Sequence, residues 1–178
     1  FEIKLKNDTL IGSWIAYDQH VKIKKRNFKL LKKQFAYNPN LMLNNQDEEY
    51  GTLVDWINAK RQEATDQEGD STYTYVMEYY RSASPAVFSI NASKQKLTEK
   101  DLKNLKKLDL EIIRNTIFAR HGYAFTKPAI RQFFDPVEWY VPVSKDVSAD
   151  LSQLEKDNIA LLTRFEKYAT DNYDTFGR

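Results

Sequence analysis

Arg114-Asn115-Thr116-Ile117-Phe118-Ala119-Arg120-His121-Gly122-Tyr123-Ala124-Phe125 combines a helical pattern, a helix stop, two arginines and a dense aromatic tail, and the C-terminal part of the chain reads as packing around it. At about 100° per residue, Leu110, Ile113, Arg114, Ile117 and His121 share one helix face, with Phe118 at its edge. Ile112 and Ala119 fall on the opposite side, so the helix is expected to be covered on two faces. Arg114 and His121 would then project into apolar surroundings, where a guanidinium persists only when paired and hydrogen-bonded. A carboxylate inside the same domain is therefore expected at Arg114. Gly122 follows the last periodic residue, where a left-handed helix end favours glycine. His121 lies in the final turn, where a partly cationic imidazole meets the negative end of the helix dipole.

Moving outward, Thr98-Glu99-Lys100-Asp101 predicts the start of a short helix, with Thr98 as cap, Asp101 as capping-box partner and Leu97 stapled onto Leu102. The central helix is expected to begin near Asp109. Thr126 is a candidate cap for a third helix with Pro128 in its first turn and Ile130, Phe133 and Phe134 facing inward. Asp135-Pro136 ends it, and Trp139-Tyr140-Val141-Pro142 forms an aromatic elbow. Ser152-x-x-Glu155 is another capping-box pattern, and Leu154, Asn158, Leu161, Leu162, Phe165 and Tyr168 make a helical stripe to about Ala169. This last helix is where the partner of Arg114 is expected: Glu155 first, with Asn158 and Glu166 as the other candidates.

Asn115 to Tyr123, then Phe125, Phe133-Phe134, Trp139-Tyr140-x-Pro142, and a last helix with Glu155 and Asn158-Ile159 together resemble the YARHG domain, a small bacterial domain named after its motif. The resemblance runs from about Leu97 to Tyr168. Two positions depart from the pattern: Phe118 stands in place of the family's tyrosine, and Thr116 where an acidic residue is common. The resemblance implies an extracytoplasmic setting (periplasm or cell surface), often as a lipoprotein or envelope-associated protein, and it brings no catalytic residues with it.

The N-terminal half reads differently. Phe1 to Lys6 alternates as a half-buried strand does, Asn7-Asp8 signals a turn, and Leu10 to Tyr17 reads as a second strand. Gly12-x-Trp14 is similar to the opening strand of lipocalin-like barrels, yet no hairpin cadence follows it. His20 to Lys33 is basic without an acidic residue, and with Phe28, Phe35 and Tyr37 it offers a phosphate-binding strip with stacking rings. The competing reading is a solvated strand face with Val21 and Ile23 pointing inward, its charge compensated by the acidic residues between Asp47 and Asp70. Tyr50 to Ile57 is a candidate strand and Gln62 to Asp70 a polar loop. Ser71 to Arg81 is the clearest strand of this half, its tyrosines fit for sugar stacking or for cross-strand packing. Ser84-Pro85 breaks it, and Ala86 to Ala92 is one more candidate strand.

The fold class expected is therefore α+β, with a mostly antiparallel β region over residues 1–93 followed by a small all-α domain of about four helices over residues 97–172. The chain's 178 residues, 42% apolar and 13% aromatic, suffice for a core, and a formal charge of +2 argues against a dedicated nucleic-acid protein. The absence of cysteine excludes disulfides, thiol catalysis and zinc–thiolate sites. No apolar run approaches a membrane span, and a start at Phe1 without Met reads as a processed or trimmed end. There is no nucleophile elbow, no metal-binding histidine spacing and no phosphate-cradling glycine loop, so neither a metal nor a cofactor is expected. The reading that follows is a non-catalytic binding or interaction module of the bacterial cell envelope. Its partners would be cell-wall glycan or peptide, or another envelope protein. Arg120, His121, Tyr123, Trp139 and Tyr140 are the candidate ligand-binding residues, since an arginine among aromatics suits an anionic glycan or peptide. Arg114, Glu155, Asn158 and Gly122 are assigned structural roles. The alternatives are a hydrolase with His121 as general base, binding of nucleic acid or another anionic polymer by Lys22–Lys33, and self-association of the N-terminal half through an open sheet edge.

Overall fold

A computed structural model describes residues 2–18, 20–44, 53–68 and 70–170 and has antiparallel sheets followed by four helices, an α+β architecture. The chain divides into two compact units, Phe1–Ala36 and Tyr37–Arg178.

The first unit is a three-stranded antiparallel sheet of β1 (Glu2–Lys6), β2 (Thr9–Ile15) and β3 (Lys25–Leu31), in that order. Lys6 pairs with Thr9 across a two-residue turn in which Asn7 and Asp8 have φ of 46° and 56°. Both are left-handed, a conformation that Asn and Asp tolerate better than other side chains and one that matches the twist of a hairpin. Gly12 is required for space: a Cβ there would come within 2.4 Å of the Glu2 carbonyl oxygen and 2.7 Å of the Phe28 ring. Lys22–Lys33 is exposed throughout in its basic residues. Val21 and Ile23 do not point inward, being 40% and 44% exposed in a loop before β3 begins. Asp18 starts that loop by accepting the His20 N–H at 2.8 Å, and Ala16 closes it by donating to the Lys24 carbonyl.

In the second unit β4 (Val54–Glu68) and β5 (Ser71–Ser82) form a long antiparallel ribbon. Gln62 to Glu68 is strand and not loop, although no residue in it is strongly apolar. The pairing partner supplies the ladder hydrogen bonds, and a two-stranded ribbon needs no buried face to keep its backbone satisfied. Tyr50 to Thr52 of the expected strand, and Asp47 to Glu49 of the acidic block, lie outside the described residues. The ladder slips between Asp55 and Lys60. Asp55 explains the slip, since its Oδ1 takes the N–H groups of Ile57 and Asn58, both at 3.1 Å, out of the ladder. Ala86 to Ala92 is not a strand. Ser84 caps a 3-10 turn at Pro85–Phe88, with proline at the first position where its missing N–H costs nothing.

The helices are α1 (Glu99–Leu102), α2 (Lys107–Arg120), α3 (Pro128–Phe134) and α4 (Gln153–Glu166). Thr98 and Asp101 form the expected box, and Ser152 and Glu155 form the second. The cap of α3 is Lys127 and not Thr126, because Pro128 itself occupies the first helical position. Gly122 ends α2 with φ of 72°. Helix α2 is buried on both faces, Leu110, Ile113 and Ile117 on one side and Leu108 and Ile112 on the other, with Phe134 of α3 and Leu162 of α4 closing the core. The ribbon is fastened to this core by polar contacts: Gln132 of α3 donates to Asp55 at 2.7 Å, and the Ser84 N–H donates to buried Asp109 at 2.6 Å.

Candidate functional site

The end of α2 and the start of α4 bring the motif residues together in the interior. Glu155 is fully buried and its carboxylate lies 3.0 and 3.1 Å from His121 Nε2. Ser152 donates to it from N–H and Oγ, both at 3.0 Å, and Tyr37 donates from its hydroxyl at 3.3 Å while its ring stacks on the imidazole with centroids 4.3 Å apart. Burial works against ionisation of Glu155, yet the Ser152 N–H, Ser93 and His121 together hold its pKa below the ordinary value.

The second arginine of the motif is the buried one. Arg120 is 1% exposed and has no carboxylate within ion-pair distance among the described residues. Its Nε donates to the Leu41 carbonyl at 2.7 Å, its Nη1 to Ser93 Oγ at 3.0 Å, and its Nη2 faces Met42 Sδ at 3.3 Å. Burial lowers its pKa to about 10, an effect that the negative charge of Glu155 opposes. Trp139 Nε1 donates to the Met42 carbonyl at 2.9 Å, so Arg120 and Trp139 hold the same irregular segment. Asn158 does likewise for the joint before α1, accepting from Leu97 N–H and donating to the Ala92 and Gln95 carbonyls. Tyr140 donates to the Tyr123 carbonyl at 2.7 Å. Of the five expected ligand-binding residues, Arg120, His121 and Tyr140 are thus buried, Trp139 is half-buried with its N–H engaged, and Tyr123 lines an open cavity.

Arg114 does meet a carboxylate from α4, but that carboxylate is Glu166 and not Glu155. Nε and Nη2 donate to its two oxygens, the latter at 3.1 Å, and the side chains are 25% and 14% exposed. Counting back from the buried faces, Arg114 falls at the edge of α2, one row beyond Ile113 and Ile117. A bidentate pair that keeps partial contact with water is worth less than a fully buried one. Arg114→Met should therefore cost about 1–2 kcal/mol by urea denaturation, with a larger loss showing that the pair is desolvated.

The cavity that Tyr123 reaches is an open cleft of about 710 Å³ on the outer side of α2. Glu111, Arg114, Asn115 and Phe118 recur along one helical stripe and form one wall, with Tyr123 and Phe125 beyond the helix end. Phe118, Tyr123 and Phe125 pack ring to ring, with centroids 5.9 and 5.2 Å apart. Arg81, Lys127 and Lys145 line the cleft with Arg114. Arg81 is fixed by Asp55 at 2.7 Å and Glu111 at 3.2 Å. Sequence reasoning missed Arg81, Lys127 and Lys145, which come from three distant segments; the aromatic residues after Gly122 were the signal for the rest. Among the described residues no three His, Cys, Asp or Glu side chains gather as a metal site would require, and no helix is long and apolar enough to cross a membrane.

Residues 86–167 match the family model of the YARHG domain, and this C-terminal part of the chain is a YARHG domain. The match begins at the 3-10 turn, eleven residues before Leu97, and so takes in the joint that Asn158 holds. No family match covers the N-terminal part, and neither curated proteins nor solved structures give a match.

Proposed function

We propose that this protein is a non-catalytic binding module working outside the cytoplasm, and that the cleft beside α2 receives an anionic, partly apolar fragment of cell-wall glycan or peptide. The extracellular setting follows the association of the YARHG domain with extracellular proteins. The cleft carries the reading: aromatic rings line it, and of its four cationic side chains Arg81 and Arg114 are held by Asp55, Glu111 and Glu166, which leaves Lys127 and Lys145, with Asp146 beside them, to meet an anionic group. Its volume suits a ligand of disaccharide or short-peptide size, since such pockets run to roughly 300–1,000 Å³. His121 with Glu155 has the geometry of a base and its orienting carboxylate. The imidazole is nevertheless 6% exposed with the Tyr37 ring stacked on it, which favours a binding role over a catalytic one.

Titration of the full chain with soluble muropeptides, followed by NMR and by mass spectrometry of the recovered ligand, tests this. The expected result is binding with the ligand recovered intact. Lys127→Glu with Lys145→Glu should weaken binding by at least about tenfold, since each reversal replaces attraction by repulsion at the rim. Absence of binding would remove the ligand class, and a shortened muropeptide would replace this reading with the hydrolase.

A further inference from the structure

The β4–β5 ribbon has two unlike faces. Residues paired across the ladder share a face, so one face carries Arg61, Glu63, Thr65 and Gln67 opposite Glu78, Val76, Thr74 and Thr72. It is a solvent face, with an Arg61–Glu78 ion pair at 2.9 Å and the Tyr80 hydroxyl donating to Glu78. On the other face β5 presents Tyr73, Tyr75, Met77 and Tyr79, between 36% and 46% exposed. The apolar surface that β5 contributes here, three tyrosines and a methionine in one row, is of the kind that a covering partner buries, although β4 adds charged and polar residues to the same face. A two-stranded ribbon is also marginal alone and gains stability when such a face is buried.

We propose that a second copy of the chain covers this face, the two ribbons stacking about a two-fold axis at the Glu63–Val76 row. The charges on the face select that occupant. β4 contributes Lys60, Gln62, Ala64 and Asp66 to it, so a cation and an anion stand at equal distances either side of the central row, about 10 Å each at the rise of a strand. A two-fold axis lying in the interface, perpendicular to the strands, sets Lys60 over the partner's Asp66 and Asp66 over the partner's Lys60. The same operation sets Tyr73 over the partner's Tyr79, and Tyr75 over the partner's Met77, a sulfur–aromatic contact. The face is thus complementary to itself, as a closed two-fold interface demands. A neutral glycan stacking on the tyrosines would leave both charges unanswered.

Sedimentation velocity on the full chain over a range of concentrations tests this, with circular dichroism to verify folding of each variant. A monomer–dimer equilibrium is expected for the natural sequence. Tyr75→Lys should abolish the dimer. Lys60→Glu and Asp66→Lys should each weaken it by roughly tenfold, and the double exchange should restore it to within about threefold, because it rebuilds both pairs with the signs reversed. A monomer at all concentrations overturns the proposal. So does a dimer indifferent to Tyr75→Lys, or one that the double exchange does not restore.

Discussion

Glu155→Leu is expected to destabilise the second unit by about 3–5 kcal/mol, the range for removing one member of a buried, hydrogen-bonded charged cluster. The carboxylate is fully buried and answers His121, Ser152, Tyr37 and Ser93 at once. Leucine fills much of the volume but leaves the imidazole and the Ser93 hydroxyl without an acceptor in a site from which water is excluded. It also removes a negative charge that favours the cationic form of Arg120, whose guanidinium is buried without an ion-pair partner among the described residues. Finally it breaks the box that caps α4, where Ser152 N–H and Oγ both donate to this side chain. Glu155→Gln separates these effects: it retains an acceptor for His121 and much of the shape, and should lose about half as much. Urea denaturation with an unchanged m-value measures both. A Glu155→Leu variant within about 1 kcal/mol of the natural protein would show that the motif does not hold this domain together.

The contrast between the two arginines shows what the sequence could and could not disclose. Helical periodicity placed Arg114 with Ile113 and Ile117, and the true burial differs by one row: a wheel angle near the edge of a stripe does not say whether the neighbouring helix reaches it. Arg120 lies on another side of α2, where its side-chain hydrogen bonds go to residues outside the helices. Its partners Leu41, Met42 and Ser93 come from irregular segments tens of residues away, and irregular backbone leaves no period to read. Local signals fared better. Asn7-Asp8, the boxes at Thr98 and Ser152, and Gly122 each depend on a few adjacent residues, so their chemistry is written beside them. The same locality misled at Gln62–Glu68, where polarity suggests a loop but β5 completes the ladder, and at Ala86–Ala92, where apolar composition suggests a strand but Ser84-Pro85 starts a 3-10 turn. For the cleft, the aromatic residues after Gly122 were visible, whereas the cations assemble only once ribbon, α2 and the loops flanking α3 meet.

Asp55 should prove as costly to remove, and it makes stability depend on acid. Its buried carboxylate accepts from the Ile57 and Asn58 N–H groups, the Asn58 amide, Gln132 and Arg81, tying the base of the ribbon to α3, while Arg81 carries the link on to Glu111 of α2. Burial alone would raise its pKa, but hydrogen bonds from Asn58, Arg81 and Gln132 outweigh it and hold the carboxyl well below the usual carboxylate range. Asp55→Asn keeps one acceptor, loses the charge opposite Arg81 and turns an amide N–H₂ towards groups that themselves donate, so a loss of about 3–5 kcal/mol is expected. The pH dependence fixes the cause. A carboxyl with a depressed folded pKa contributes stability above its unfolded pKa and loses it as pH falls towards the folded one, because the unfolded chain takes up a proton that the folded chain refuses. Below about pH 4 the natural protein should therefore lose up to about 1.4 kcal/mol per pH unit more than Asp55→Asn does, so that the two unfolding curves converge in acid. Parallel loss in both proteins down to pH 2 would mean that Asp55 holds the ribbon by its shape and not by its charge.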